Sequence, residues 1–135
     1  MPFVVDNSVV SGWYLAGQAT PYTDAVLEML RRETAHVPPL WELELVNVAR
    51  TAARRGILAD DDARLAVSYV LGLPIHVDRA IVPPERLLSL AQTFDLSAYD
   101  AAYLELAMRF KLPIAAKDGK LRIAAKKSGV GIVEP

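Results

Sequence analysis

At 135 residues, 53% of them hydrophobic, the chain is long and apolar enough for one folded domain spanning 1–135, which excludes a disordered segment. Its apolar runs break well before the roughly 18 residues that cross a bilayer, which excludes a membrane helix. A net charge of −1 excludes a whole-molecule field for nucleic acid, and the absence of cysteine excludes disulfides.

The opening MPFVVDNSVV has no basic leader or cleavage-type segment, so a cytoplasmic location is expected. FVVD (3–6) reads as a short strand and NSVVSGWYL as a helix. PYTDAVLEMLRRETA is a helix with Val26, Leu27 and Leu30 on one stripe, and HVPP is a second brief strand closed by prolines. LWELELVNVARTAARRG is a strong helix ending at Gly56; DDDARLAVSYVLGL is another with an acidic start; PIHVD is a third strand. PPERLLSLAQTFDL and SAYDAAYLELAMRFKL are successive helices, PIAAKD a strand, GKLRIAAKKSG a helix and VGIVEP a last strand. Short apolar strands alternating with helices predict a parallel α/β sheet covered on both faces.

In open parallel sheets, sites form beyond the carboxyl ends of the strands. Asp6 and Asp118 each end a predicted strand, and Asp100 lies in the first turn of the helix preceding the strand of Asp118. Glu44 lies in mid-helix; Leu40 and Asn47, four and three places away, together with the adjacent Leu43, are expected to put it on a largely inward face. Glu42, two places away, points about 200° from it, so only one of the pair can enter a site. Crowded carboxylates raise one another's pKa, and a divalent cation relieves that cost. Oxygen donors without histidine or cysteine suit Mg²⁺ or Mn²⁺, ions that support phosphodiester hydrolysis. Each acid alone could equally cap a helix or complement its dipole.

FVVDNSVV, PPLWELELVNVARTAARRG, LSAYDAAYLELAMRFKLPIAAKD and the closing GV together resemble the PIN-domain ribonucleases, most nearly the VapC-type toxins of toxin–antitoxin operons. The resemblance runs in order over essentially the whole chain. It implies a PIN-like three-layer fold with a short, mostly parallel central sheet and helices on both faces. It also implies a metal-dependent endoribonuclease whose Mg²⁺ or Mn²⁺ is held by the acid after the first strand, the Glu of an E-x-x-N pair, the Asp of a Y-D-A segment and the Asp after a later strand. Those positions are Asp6, Glu44 with Asn47, Asp100 and Asp118. Ser8, Asn47 and Ser97 are the expected supporting residues, and Lys117, Lys120 and Arg122, in a basic cluster with Lys126 and Lys127, the expected RNA contacts. The family also implies a cognate antitoxin laid into an apolar groove, with Val10, Trp13 and Leu15 exposed to meet it, and a homodimer. One departure is Ala116, where the family often has Ser or Thr two places before the last acid; it keeps alive a catalytically weak PIN-like domain that binds RNA or protein.

Other readings fare worse. A receiver-like domain wants paired acids after the first strand, where Asn7 follows Asp6, and a haloacid-type phosphatase wants an Asp where Ser8 stands. His36 and His76 are far apart without a neighbouring ligand pair, which speaks against zinc. The run Asp60, Asp61 and Asp62 opens a helix and reads as its cap. Helical context assigns most of Trp13, Trp41, Tyr99 and Tyr103 to core packing rather than base stacking.

Overall fold

The computed structural model describes residues 1–117 and 119–135. Strand β1 (Phe3–Val5) is followed by α1 (Asn7–Val10), two 3₁₀ turns and α2 (Pro21–Met29), then β2 (Ala35–Val37), α3 (Leu40–Arg54) and α4 (Asp60–Leu71). Strand β3 (Ile75–Val77), α5 (Pro84–Phe94), α6 (Ala98–Phe110), β4 (Ile114–Ala115) and α7 (Lys120–Ser128) complete the order. The sheet is parallel, in the order β3-β2-β1-β4. Successive connections step from β1 to β2 to β3 in one direction, whereas α5 and α6 carry the chain back across to the other side of β1. Right-handed crossovers in opposite directions place their helices on opposite faces, which gives three layers. The direction reverses between β1 and β4, so the crevice of the fold opens at the carboxyl ends of these two strands.

Phe3, Val4 and Val5 are fully buried, as a central parallel strand covered on both faces requires. Trp41, Leu45, Ala49 and Ala52 form the inward stripe of α3, and Ala101 to Ala107 make α6 the most buried helix. Glu105, on that same helix, is only 3% exposed, but Arg109 holds it at 2.9 Å and also reaches Asp78 at 2.6 Å. A fork-shaped guanidinium shared by two carboxylates gives each a charge-assisted partner inside the fold and offsets part of their joint charge. Among the described helices none is long and apolar enough to cross a membrane.

Three expectations are corrected. VGIVEP forms a single parallel bridge, Ile132 to Ile114, because β4 beside it offers only two residues to pair with. Asp60, Asp61 and Asp62 fill the first turn of α4 behind Ala59, which makes no side-chain cap bond, so they act on the helix dipole rather than as a cap. Val10, Trp13 and Leu15 are buried rather than exposed; Trp13 donates its indole N–H to the Thr23 carbonyl at 2.8 Å and ties the first turns to α2. His36 and His76, distant in sequence, stand opposite one another in the β2–β3 register with ring centroids 5.4 Å apart.

Candidate active site

Asp6 follows β1 directly, its backbone N–H bound to the Ala115 carbonyl of β4 at 2.9 Å. It therefore stands in the crevice where the sheet reverses direction. Its carboxylate accepts the Ser8 hydroxyl at 2.6 Å, and Ser8 Oγ in turn lies 3.5 Å from the backbone N–H of Lys117, past the end of β4. Burial pushes the Asp6 carboxyl above the usual range, the Ser8 hydrogen bond pulls it back, and the charge of Asp100 pushes it up again.

Glu44 is half-buried on α3. The corrected detail is its surroundings: Leu43 is 76% exposed and Asn47 faces solvent, so Glu44 flanks the inward stripe instead of lying within it. What holds it is Tyr103, whose hydroxyl donates to Glu44 Oε1 at 2.5 Å. Burial raises the Glu44 carboxyl, the phenol lowers it, and the charges of Asp6 and Asp100 raise it further. Tyr103 itself is fully buried and driven upward, first by burial and then by Glu44, so it stays protonated and can only donate. Asp100 occupies the first turn of α6, with the Ser97 side chain capping its backbone N–H at 3.1 Å; burial raises its carboxyl as well.

The structure thus brings Asp6, Glu44 and Asp100 into one electrostatic neighbourhood from β1, α3 and α6. Asp118 lies outside the described residues. Among those described, no three acids or histidines are close enough to hold one ion by themselves. The donor chemistry nevertheless fits a hard divalent cation. Unlike Glu105 and Asp78, the three acids make no ion pair among the described residues and are met only by hydroxyl and backbone N–H groups. All their donors are carboxylate oxygens, the set that Mg²⁺ and Mn²⁺ take.

Of the expected supporting residues, Ser8 touches an acid directly, Ser97 positions Asp100 through the helix end, and Asn47 lines a surface cleft with Ser11 and Gln18. Glu42 is engaged elsewhere, in a two-pronged pair with Arg79 at 2.9 and 3.0 Å. Lys120 pairs with exposed Asp95 at 3.2 Å, whereas Lys117 and Arg122 border a cleft beside Ser8. Sequence reasoning missed Tyr103 as part of the site. The available signal was its spacing: three places after Asp100, it shares that residue's helix face.

No protein-family model matches the chain. Ribonuclease VapC12 of Mycobacterium tuberculosis, from strain CDC 1551 / Oshkosh and from strain ATCC 25618 / H37Rv, is 32% identical over 104 residues, covering 76% of this chain and 78% of the relative. The crystal structure of PAE2754 from Pyrobaculum aerophilum superposes with a TM-score of 0.75 at 21% identity, covering 98% of this chain and 88% of that one. That of FitAcB from Neisseria gonorrhoeae does so with a TM-score of 0.54 at 16% identity, covering 99% and 97%. The two solved structures share the fold, and the identity to VapC12 over three-quarters of both chains places this α/β protein, with its PIN-like three-layer architecture, in the VapC family of ribonucleases.

Proposed function

We propose that the protein is a metal-dependent endoribonuclease, the toxin of a toxin–antitoxin pair, and that Asp6, Glu44, Asp100 and Asp118 hold its Mg²⁺ or Mn²⁺. The observation that carries this reading is the grouping of Asp6, Glu44 and Asp100 at the reversal of the sheet, with every carboxyl raised and no described cation paired to it. Kinship to a relative named as a ribonuclease supports the substrate class.

A divalent ion at these acids supplies charge neutralisation for the phosphate in flight and acidifies the attacking water. The chain's own residues prepare that chemistry. Ser8 fixes the Asp6 carboxylate by donating its hydroxyl to Oδ2, and the backbone N–H groups of Asn7 and Ser8 help to orient it. The Tyr103 phenol donates to Glu44 Oε1, orienting that side chain and favouring its ionised form against the burial that raises its carboxyl. Ser97 starts α6 so that Asp100 falls in its first turn and shares the field of the other two. For an antitoxin partner, the supporting surface is a groove of about 530 Å³ between α3 and α4, lined by Val46, Ala49, Ala53, Ala63 and Val67, with Leu43, Leu65 and Tyr69 exposed on the same two helices.

The test is cleavage of total RNA by purified protein with Mn²⁺, with Mg²⁺ and with EDTA, Asp6→Asn and Asp100→Asn being assayed alongside. Cutting that needs the metal and disappears in both variants is the expected result. Cutting that survives either substitution would overturn the site, and metal binding without cutting would reassign the protein as a binding domain.

A further inference from the structure

Beside the acids lies a second feature that the chemistry above leaves unused. A cleft of about 320 Å³ is lined by Thr20, Pro21, Tyr22, Lys117 and Arg122, with no carboxylate among the described residues of its walls. It adjoins the site directly: the backbone N–H of Lys117 is 3.5 Å from the Ser8 hydroxyl, and that hydroxyl is bonded to Asp6. From this juxtaposition we infer that the cleft is a phosphate subsite, which grips the backbone of single-stranded RNA next to the bond being cut.

The two cations are held rather than loose. Lys117 Nζ donates to the Gln18 carbonyl at 2.7 Å and more weakly to Gln18 Oε1 at 3.5 Å, which pins the ammonium against the second 3₁₀ turn and, among the described residues, leaves a third N–H for a ligand. Arg122 donates through Nη1 to the Ala116 carbonyl at 2.9 Å, and its guanidinium carbon stands 5.4 Å from the centroid of the Tyr22 ring. The Tyr22 hydroxyl is spent on the Val133 carbonyl at 3.0 Å. With its hydroxyl tethered and a guanidinium over its face, Tyr22 orients Arg122 instead of stacking a base. The remaining guanidinium N–H groups match the oxygens of a phosphate, and such a contact reads charge rather than sequence. Glu134 is the acid whose field reaches Tyr22, and it stands exposed outside the cleft lining. Lys120, paired with Asp95, is no part of the cleft. A protein of net charge −1 therefore concentrates cationic groups where its substrate's backbone passes the acids.

This inference rests on the ribonuclease reading, and binding in EDTA separates the two. Anisotropy of a labelled single-stranded oligoribonucleotide is to be followed between about 50 and 200 mM salt for the wild type, Lys117→Gln, Arg122→Gln and Arg31→Gln. Arg31 lies between α2 and the amino end of β2, whereas the acids stand beyond the carboxyl ends of the strands, and it serves as the charge control. Loss of one phosphate contact is expected to flatten the dependence of log Kd on log salt by about 0.7 in each of the first two variants, equally for a U-rich and a mixed sequence, while Arg31→Gln keeps the wild-type slope. Wild-type slopes in both cleft variants, an equal loss in Arg31→Gln, or no RNA binding by the wild type would overturn the subsite. If Arg122→Gln fails to fold by circular dichroism, Lys117→Gln decides alone, since among the described residues its side chain meets only a surface carbonyl and amide. Failure of the nuclease reading shows instead as cleavage that ignores EDTA or Asp6→Asn, whatever the slopes.

Discussion

Glu44 and Tyr103 illustrate how far a single residue can be read from sequence. Helical geometry says that only one of Glu42 and Glu44 can turn toward the crevice, and Glu42 is in fact occupied by Arg79. The reason first given, neighbours Leu43 and Asn47 on an inward face, does not hold, because both are exposed. Helical spacing says which residues share a face; it cannot say how far round the helix the core extends, since that depends on what packs there. The Tyr103 partner was hidden for the same reason, as an aromatic in a buried helix reads as core until its hydroxyl is located. Tyr103→Phe keeps the ring and removes the donor. Glu44, deprived of the bond that lowers its carboxyl, then protonates more easily. Cleavage is expected to fall about tenfold, with the acid limb of the pH–rate profile moved to higher pH. The unpaired buried carboxylate costs about 1–3 kcal/mol in urea unfolding. An unmoved acid limb would detach Tyr103 from the site.

At the scale of elements, the alternation of strands and helices was legible because the longer helices carry an apolar stripe and are punctuated by Pro, Gly or a capping Thr20 or Ser97. The last strand was not, since its pairing depends on a β4 of only two residues, a length set by tertiary structure. Two predictions concern how elements meet. Gly12, in the turn after α1, lies so near α2 that an added Cβ would fall 2.7–2.8 Å from three atoms of the Thr23 side chain. Thr23 is buried, β-branched and one half of the capping box of α2, so it has nowhere to move. Gly12→Ala is expected to cost about 1–3 kcal/mol by urea denaturation, and an unchanged midpoint would show that the two segments slide freely. The β2–β3 pair carries the second. Burial and then the charge of His76 lower the His36 pKa below its ordinary 6.5, Asp78 opposing weakly, with Phe110 and Arg109 packed nearby. The unfolded chain then binds that proton more readily than the folded one. Stability from this residue is complete above 6.5 and drains away as the pH falls through the lower folded value. Between about pH 7.5 and 5.5 the wild type should lose more Tm than His36→Gln, and parallel curves would deny the linkage.

For the molecule as a whole, the same carboxyls that suit a cation weigh on the fold that carries them. Asp6, Glu44 and Asp100 each bind a proton more tightly folded than unfolded, so in EDTA they favour folding at low pH and oppose it once the pH passes their raised values. This tension was legible as a pattern of acids at strand ends; its strength was not, because burial and mutual distance belong to the assembled fold. The ion pairs of Glu105 and Asp78 with Arg109 show that the chain neutralises buried acids internally where no ligand is wanted. It follows that Asp6→Asn, which keeps an acceptor for Ser8 but removes a charge, should melt higher than the wild type at neutral pH in EDTA. Adding Mn²⁺ should reverse the order, since a ligand bound only by the folded state stabilises it by about 2.7 kcal/mol at a hundred times its Kd, and the variant has lost one ligand oxygen's charge. A wild type that melts above Asp6→Asn in EDTA would mean that the Asp6 charge is already compensated within the fold, and that the acids are there to hold the sheet together rather than to wait for a cation.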